Sequence, residues 1–270
     1  MTTTDPQTTA PGDDADARAL SDALGRLATT PRLLVALDFD GTLAPEVDQP
    51  MAARPLPESK EAIRRLLAME GTSVALVSGR DLASLDRISE MPDEVLLVGS
   101  HGIEVRIGGE VTSLTDDELA RRAVISEALH TAADGRDGVF VEEKPAGLAL
   151  HTRLADEATT TEVREAVRRR LSDEPGVHAR EGKNVREYAV RPTGKDDGVA
   201  RLREAVGATA VLFAGDDVTD EDALRSLGEG DVGVRVGPGE TAAHHRVADP
   251  AAIGRLLGDL ADLREHLGHA

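Results

Sequence analysis

Leu33-Leu34-Val35-Ala36-Leu37 is a continuous apolar run of strand length that stops abruptly at Asp38-Phe39-Asp40-Gly41-Thr42-Leu43. An uninterrupted run of this kind reads as a parallel strand buried on both faces. Open α/β sheets bind their ligands beyond the carboxyl ends of such strands, and here that end delivers two carboxylates and a glycine. Because strand side chains alternate, Asp38 and Asp40 are expected on one side and Phe39 on the other. Like charges held so close are costly without a compensating proton or cation. The pair therefore points to a divalent cation and to separate work for each acid.

The same signal recurs along the chain. Val74 to Val77 runs into Ser78-Gly79-Arg80, Val95 to Val98 into Gly99-Ser100-His101-Gly102, and Ala210 to Phe213 into Gly215-Asp216-Asp217. Helical patterns separate these runs, as in a doubly wound parallel sheet of the α/β class. From about Ile103 the rhythm changes to short alternating segments, a Gly108-Gly109 turn and a capping box at Thr115-Asp116-Asp117-Glu118. This middle section reads as an inserted α+β domain. The expected organisation is a disordered tail over residues 1–16, a core from 17–102 and 192–270, and an insert over 103–191. A short helix over Ala19 to Leu27 would precede the first strand.

With 270 residues, the chain is long enough for a core and a smaller second domain. Its formal net charge of -19 argues against nucleic acid or an anionic membrane as partner. An anionic small molecule is not excluded, because a nearby cation acts locally while distant charge is screened by salt. The only lysines are Lys60, Lys144, Lys183 and Lys195. With no cysteine, thiolate metal sites and disulfides are absent. No apolar run approaches the roughly 20 residues that span a bilayer. A cytoplasmic monomer is the expectation.

The ordered set Asp38-Phe39-Asp40-Gly41-Thr42-Leu43, Ser78, Lys195 and Gly215-Asp216-Asp217 resembles the four motifs of the haloacid dehalogenase-like (HAD) phosphatases, and the insert falls where that superfamily carries large cap domains. The resemblance implies a HAD-like core with an α+β cap, Asp38 as nucleophile and Asp40 as general acid and base. It also implies Mg²⁺ held by Asp38, the Asp40 carbonyl and Asp216, with Asp217 as an auxiliary ligand. Ser78 and Lys195 would bind phosphoryl oxygens. Within the cap, Val141-Glu142-Glu143-Lys144, Leu148-Ala149-Leu150-His151-Thr152-Arg153 and Glu181-Gly182-Lys183-Asn184-Val185-Arg186-Glu187 resemble the trehalose-6-phosphate phosphatase family. That family's pattern implies sugar contact by Lys183 and Glu187, then by Lys144, His151, Arg80 and His101. One departure is that Lys195 is followed by Asp196-Asp197 where the family usually has glycine.

Plainer readings stand beside these. Ser78 could cap the next helix, Arg80 could pair with Asp81 or Asp86, and Lys183 with Glu187 could form a surface ion pair. For the whole chain, the alternatives are a phosphatase of sucrose phosphate or hexose phosphate, a phosphoacceptor receiver domain, or an inactive regulatory domain. A receiver has no use for Asp40 and no cap insert, and no motif acid is missing here.

Overall fold

The computed structural model describes residues 11–267 apart from 145, 183, 192 and 193. By contact it divides into two compact units, residues 1–111 with 194–270, and residues 112–193.

The first unit is built on the helices α1 (Pro11–Ala28), α2 (Pro57–Leu67) and α3 (Leu82–Ser89) and the strands β1 (Leu33–Leu37), β2 (Thr72–Val77), β3 (Leu96–Gly99), β4 (Glu104–Ile107) and β5 (Glu110–Thr112). The second unit contributes α4 (Asp116–Ala133), β6 (Phe140–Lys144), β7 (Gly147–His151), α5 (Glu157–Leu171), β8 (His178–Gly182) and β9 (Val185–Ala189). The chain then returns to the first with α6 (Lys195–Val206), β10 (Ala210–Gly215), α7 (Asp220–Ser226), β11 (Val232–Val236), β12 (His245–Val247) and α8 (Pro250–Leu267).

The large sheet has the order β12-β11-β10-β1-β2-β3-β4-β5. From β12 to β3 every pairing is parallel, and β4 joins antiparallel to β3. β1 lies at the centre and is buried throughout, as its unbroken apolar sequence requires. Leu33, Val35 and Leu37 face a core shared with α1, α2, α3 and α8. Leu34 and Ala36 face a second core shared with α6 and α7. Each fully buried aliphatic side chain contributes about 1.5–3 kcal/mol, so these two layers fix the sheet and the positions of its strand ends.

Two boundaries differ from the sequence reading. Helix α1 starts at Pro11 and not at Ala19, within the stretch read as tail. Proline suits the first helical position, and Ala23, Leu24, Leu27 and Ala28 bury one face in the core. The remainder of the expected tail, residues 1–10, lies outside the described residues. The insert begins at Thr112 and not at 103. Val105 packs into the second core layer, which holds β4 on the large sheet as an added edge.

The second unit is a four-stranded antiparallel sheet, β6-β7-β9-β8, with α4 packed on β6, β7 and β9 and against α5. Leu148, Leu150 and Tyr188 are buried with Ile125, Leu129, Val163 and Val167. Thr115 and Glu118 close the capping box of α4, and Glu118 also takes a hydrogen bond from Arg191.

Candidate active site

Asp38 directly follows β1, and its backbone N–H is held by Ala214 O on β10 at 2.9 Å. Its carboxylate accepts from Lys195 Nζ at 2.6 Å, and Lys195 also donates to Asp220 Oδ1 at 2.7 Å. All three groups are buried, with Asp220 at 0% exposure. Lys195 is the first residue of α6 and Asp220 the first of α7, so two helix starts and one strand end meet here. Asp220 Oδ2 accepts from the backbone N–H groups of Asp216 and Asp217 at 3.1 and 2.9 Å.

Asp38, Asp216 and Asp220 each place a carboxylate oxygen within 4.8 Å of the others. Three carboxylates against one ammonium leave two negative charges uncompensated. Burial accordingly pushes the Asp38 carboxyl up to about 6, more than Lys195 can pull it down, with the Asp216 charge adding to the rise. Burial likewise raises Asp220 to about 6 and raises Asp216. Lys195 is opposed by burial but is driven above the ordinary lysine range by Asp38 and Asp220. A divalent cation with all-oxygen ligands matches this charge and donor set. Because Asp220 has both oxygens engaged by Lys195 and the two backbone amides, Asp38 and Asp216 are the side chains best able to hold the ion.

Asp40 goes elsewhere. β1 ends at Leu37, and residues 39–44 form a turn in which Leu43 and Ala44 N–H both donate to Phe39 O. The strict alternation expected past Asp38 is therefore lost. The Asp40 carboxylate accepts two hydrogen bonds from Arg80, at 2.5 and 2.6 Å. Arg80 thus pairs with neither Asp81 nor Asp86, which cap α3 and bind Arg106 respectively. Gly41 holds the turn at φ +75, and a side chain there would run into the Asp216 carboxylate. Changing Gly41 to Ala is expected to cost at least about 1–2 kcal/mol in stability from left-handed strain alone. It should also displace Asp216, which thermal melts and a divalent-cation titration would both register; an unchanged variant would show the turn to be adaptable.

Ser78 follows β2, is buried, and its Oγ accepts from Arg80 N–H at 3.2 Å. It therefore orders the Ser78-Gly79-Arg80 turn, while α3 is capped by Asp81. His101 lies against this turn: its N–H donates to Ser78 O at 3.1 Å, and a side chain on Gly79 would meet its ring. Ser100 and His101 both hold φ near 53, a left-handed conformation found where surrounding contacts over-determine the chain, often at functional sites. Ser100 Oγ is fixed by Glu104 at 2.6 Å.

The candidates in the second unit form their own group. Lys144 and Glu187 make an ion pair, and His151 Nε2 meets Glu142 at 2.8 Å. The Phe140 and His151 rings stack at 4.4 Å. By strand alternation and register, Phe140, Glu142, Lys144, His151 and Glu187 share the sheet face opposite Leu148, Leu150 and Tyr188. Lys183 lies outside the described residues.

Two placements depart from the motif reading. Asp217 is exposed, and its Oδ1 accepts from Val218 N–H at 2.6 Å, so it is not part of the carboxylate group. Asp220 takes that place. Its signal was present, since an acid one helical turn beyond Asp216 at the start of α7 is set to reach back to the strand end. Among Asp220, Glu221 and Asp222, three consecutive acids at a helix start, nothing in the sequence singles it out.

The family model described as trehalose-phosphatase matches residues 36–250. A bifunctional trehalose-6-phosphate synthase/phosphatase from Thermoproteus tenax is 36% identical over 86% of this chain and 32% of its own length. A trehalose-phosphate phosphatase from Mycobacterium marinum is 33% identical over 91% of this chain and 66% of its own. The chain thus spans at most about two thirds of the length of these two curated relatives. The crystal structure of Aspergillus fumigatus trehalose-6-phosphate phosphatase superimposes with a TM-score of 0.76 and 28% identity, covering 90% of this chain and 97% of that one. A match over most of the chain, together with this fold and this arrangement of acids, places the protein in the trehalose-phosphatase family of HAD-like hydrolases.

Proposed function

We propose that the protein is a Mg²⁺-dependent phosphatase that hydrolyses trehalose 6-phosphate to trehalose and phosphate. The observation that carries this reading is Lys195 buried between Asp38 and Asp220 beside Asp216, in a chain matched over most of its length by the trehalose-phosphatase family.

In this reading an Asp38 oxygen attacks phosphorus as the bond to the sugar oxygen breaks, giving an aspartyl-phosphate. Asp40 hands a proton to the departing sugar oxygen, then takes one from the water that attacks the aspartyl-phosphate, releasing phosphate and restoring Asp38. Asp38, the Asp40 carbonyl and Asp216 would hold Mg²⁺, which when bound offsets charge on the phosphoryl oxygens. Lys195 stabilises the same charge and keeps the Asp38 carboxylate oriented. Ser78 binds a phosphoryl oxygen. Because Arg80 occupies both Asp40 oxygens, the pair has to open before Asp40 can deliver a proton, and an anionic phosphoryl group is a competing partner for Arg80.

Sugar contact is assigned to Lys144, His151, Lys183 and Glu187, with His101 and Arg80 nearer the phosphoryl group. Purified protein should release phosphate from trehalose 6-phosphate with Mg²⁺ and lose that activity in EDTA. Activity on sucrose or hexose phosphates with none on trehalose 6-phosphate would overturn the substrate. Glu187→Gln should raise KM for trehalose 6-phosphate roughly 10–100-fold, the loss of one charged hydrogen bond, and leave an aryl phosphate unaffected. Its melting temperature should hardly move, because the Lys144–Glu187 pair is more than a third exposed.

A further inference from the structure

A second buried ion pair lies at the same end of the large sheet and takes no part in the chemistry above. Arg235 and Glu221 are 7% and 5% exposed. Arg235 is the one charged residue of β11, whose Val232, Val234 and Val236 pack into the core on the opposite side. It pairs in register with Gly215, so its side chain starts level with the residue before Asp216.

The guanidinium reaches two loops. Nη1 donates to the Asp217 carbonyl at 2.9 Å and to Glu221 Oε1 at 3.3 Å, and Nη2 donates to the Pro238 carbonyl at 3.1 Å. The other oxygen of Glu221 accepts from Ala242 N–H at 2.8 Å. Asp217 is therefore held from both ends, its N–H by Asp220 and its carbonyl by Arg235. Asp216 precedes it, and its own N–H is also held by Asp220.

Buried ion pairs are poor stabilisers, since well-packed apolar groups of the same volume often serve as well. What a buried arginine adds is a planar set of donors with fixed directions. Here those donors hold the backbone next to a carboxylate that has to meet an ion at a set distance. We propose that Arg235, oriented by Glu221, is a positioning residue that fixes the Asp217 peptide and thereby presents Asp216 to a divalent cation. This rests on the cation reading given under the proposed function.

The test is Mg²⁺ binding by titration calorimetry on the full chain without substrate, for wild type, Arg235→Gln, Arg235→Lys and Glu221→Gln, each checked for folding by thermal melts. Arg235→Gln should weaken Mg²⁺ binding roughly 10–100-fold, as expected for a group supporting a metal ligand. Turnover should recover as Mg²⁺ is raised, and KM for the sugar phosphate at saturating Mg²⁺ should stay at the wild-type value. Arg235→Lys, which keeps the charge and loses the directed donors, should fall between. Glu221→Gln, the milder change, should shift binding the same way and carries the test should Arg235→Gln fail to fold. Folded Arg235→Gln or Glu221→Gln protein that binds Mg²⁺ with wild-type affinity overturns the inference. A wild-type protein that binds no Mg²⁺ would instead refute the cation reading, and the inference with it.

Discussion

Asp38→Asn protein is expected to fold normally and to hydrolyse trehalose 6-phosphate roughly 10⁴–10⁶-fold more slowly than wild type, the scale seen when a nucleophile that works within a coupled set is removed. Asparagine keeps the shape of aspartate but lacks the charge that makes a nucleophilic oxygen. Stability should not fall with activity. Burial lifts the Asp38 carboxyl to about 6, above its ordinary value, so at pH 7, where the group is still mostly ionised, its buried charge costs the folded state stability. The amide removes that penalty, and Lys195 keeps Asp220 as its partner. Melting temperature and initial rate measured on one preparation separate the two effects. Activity within tenfold of wild type would show that Asp38 is not the nucleophile. A collapsed melting temperature would show that its charge is structural.

The features that were readable in advance share a physical cause. Asp38, Ser78 and Asp216 each follow a buried apolar strand, and strand ends in a parallel sheet mark themselves by a sudden change from apolar to polar sequence. Lys195 was conspicuous because only four lysines occur in the chain. What was not readable depends on contacts between distant segments. Arg80 has two acids close in sequence, yet it binds Asp40 because the turn after β1 brings that carboxylate beside it. Arg235 stands alone in an apolar strand, which signals a buried partner without saying which. The edge of the insert was misplaced because the hairpin of β4 and β5 looks the same in sequence whether it extends the large sheet or opens the second unit. Only the burial of Val105 decides it.

Lys195→Met tests the other half of the same group and should damage both fold and function. Methionine matches the length of the lysine stem, so the change isolates the ammonium. Lys195 is 3% exposed and is the only basic side chain bonded to Asp38 or Asp220 among the described residues. Its loss leaves Asp38, Asp216 and Asp220 as neighbouring acids with no cation bonded to them. Removing one partner of a buried pair costs about 3–5 kcal/mol because of the charge left behind. At this chain length that corresponds to a fall of roughly 6–20 °C in melting temperature. Mg²⁺ should narrow the gap, since an ion that binds only the folded state raises its stability and here supplies the missing positive charge. Turnover should remain lost even in saturating Mg²⁺, because the cation cannot also replace the ammonium that orients Asp38 toward phosphorus. Lys195→Arg should do little better than methionine. The site between Asp38 and Asp220 accepts a point donor at 2.6 and 2.7 Å, and a planar guanidinium is too wide for it. A Lys195→Met protein that melts with wild type in EDTA would mean that the three acids share protons to neutralise themselves. A variant that regains turnover with Mg²⁺ would mean that Lys195 serves only to balance charge and does not orient the nucleophile.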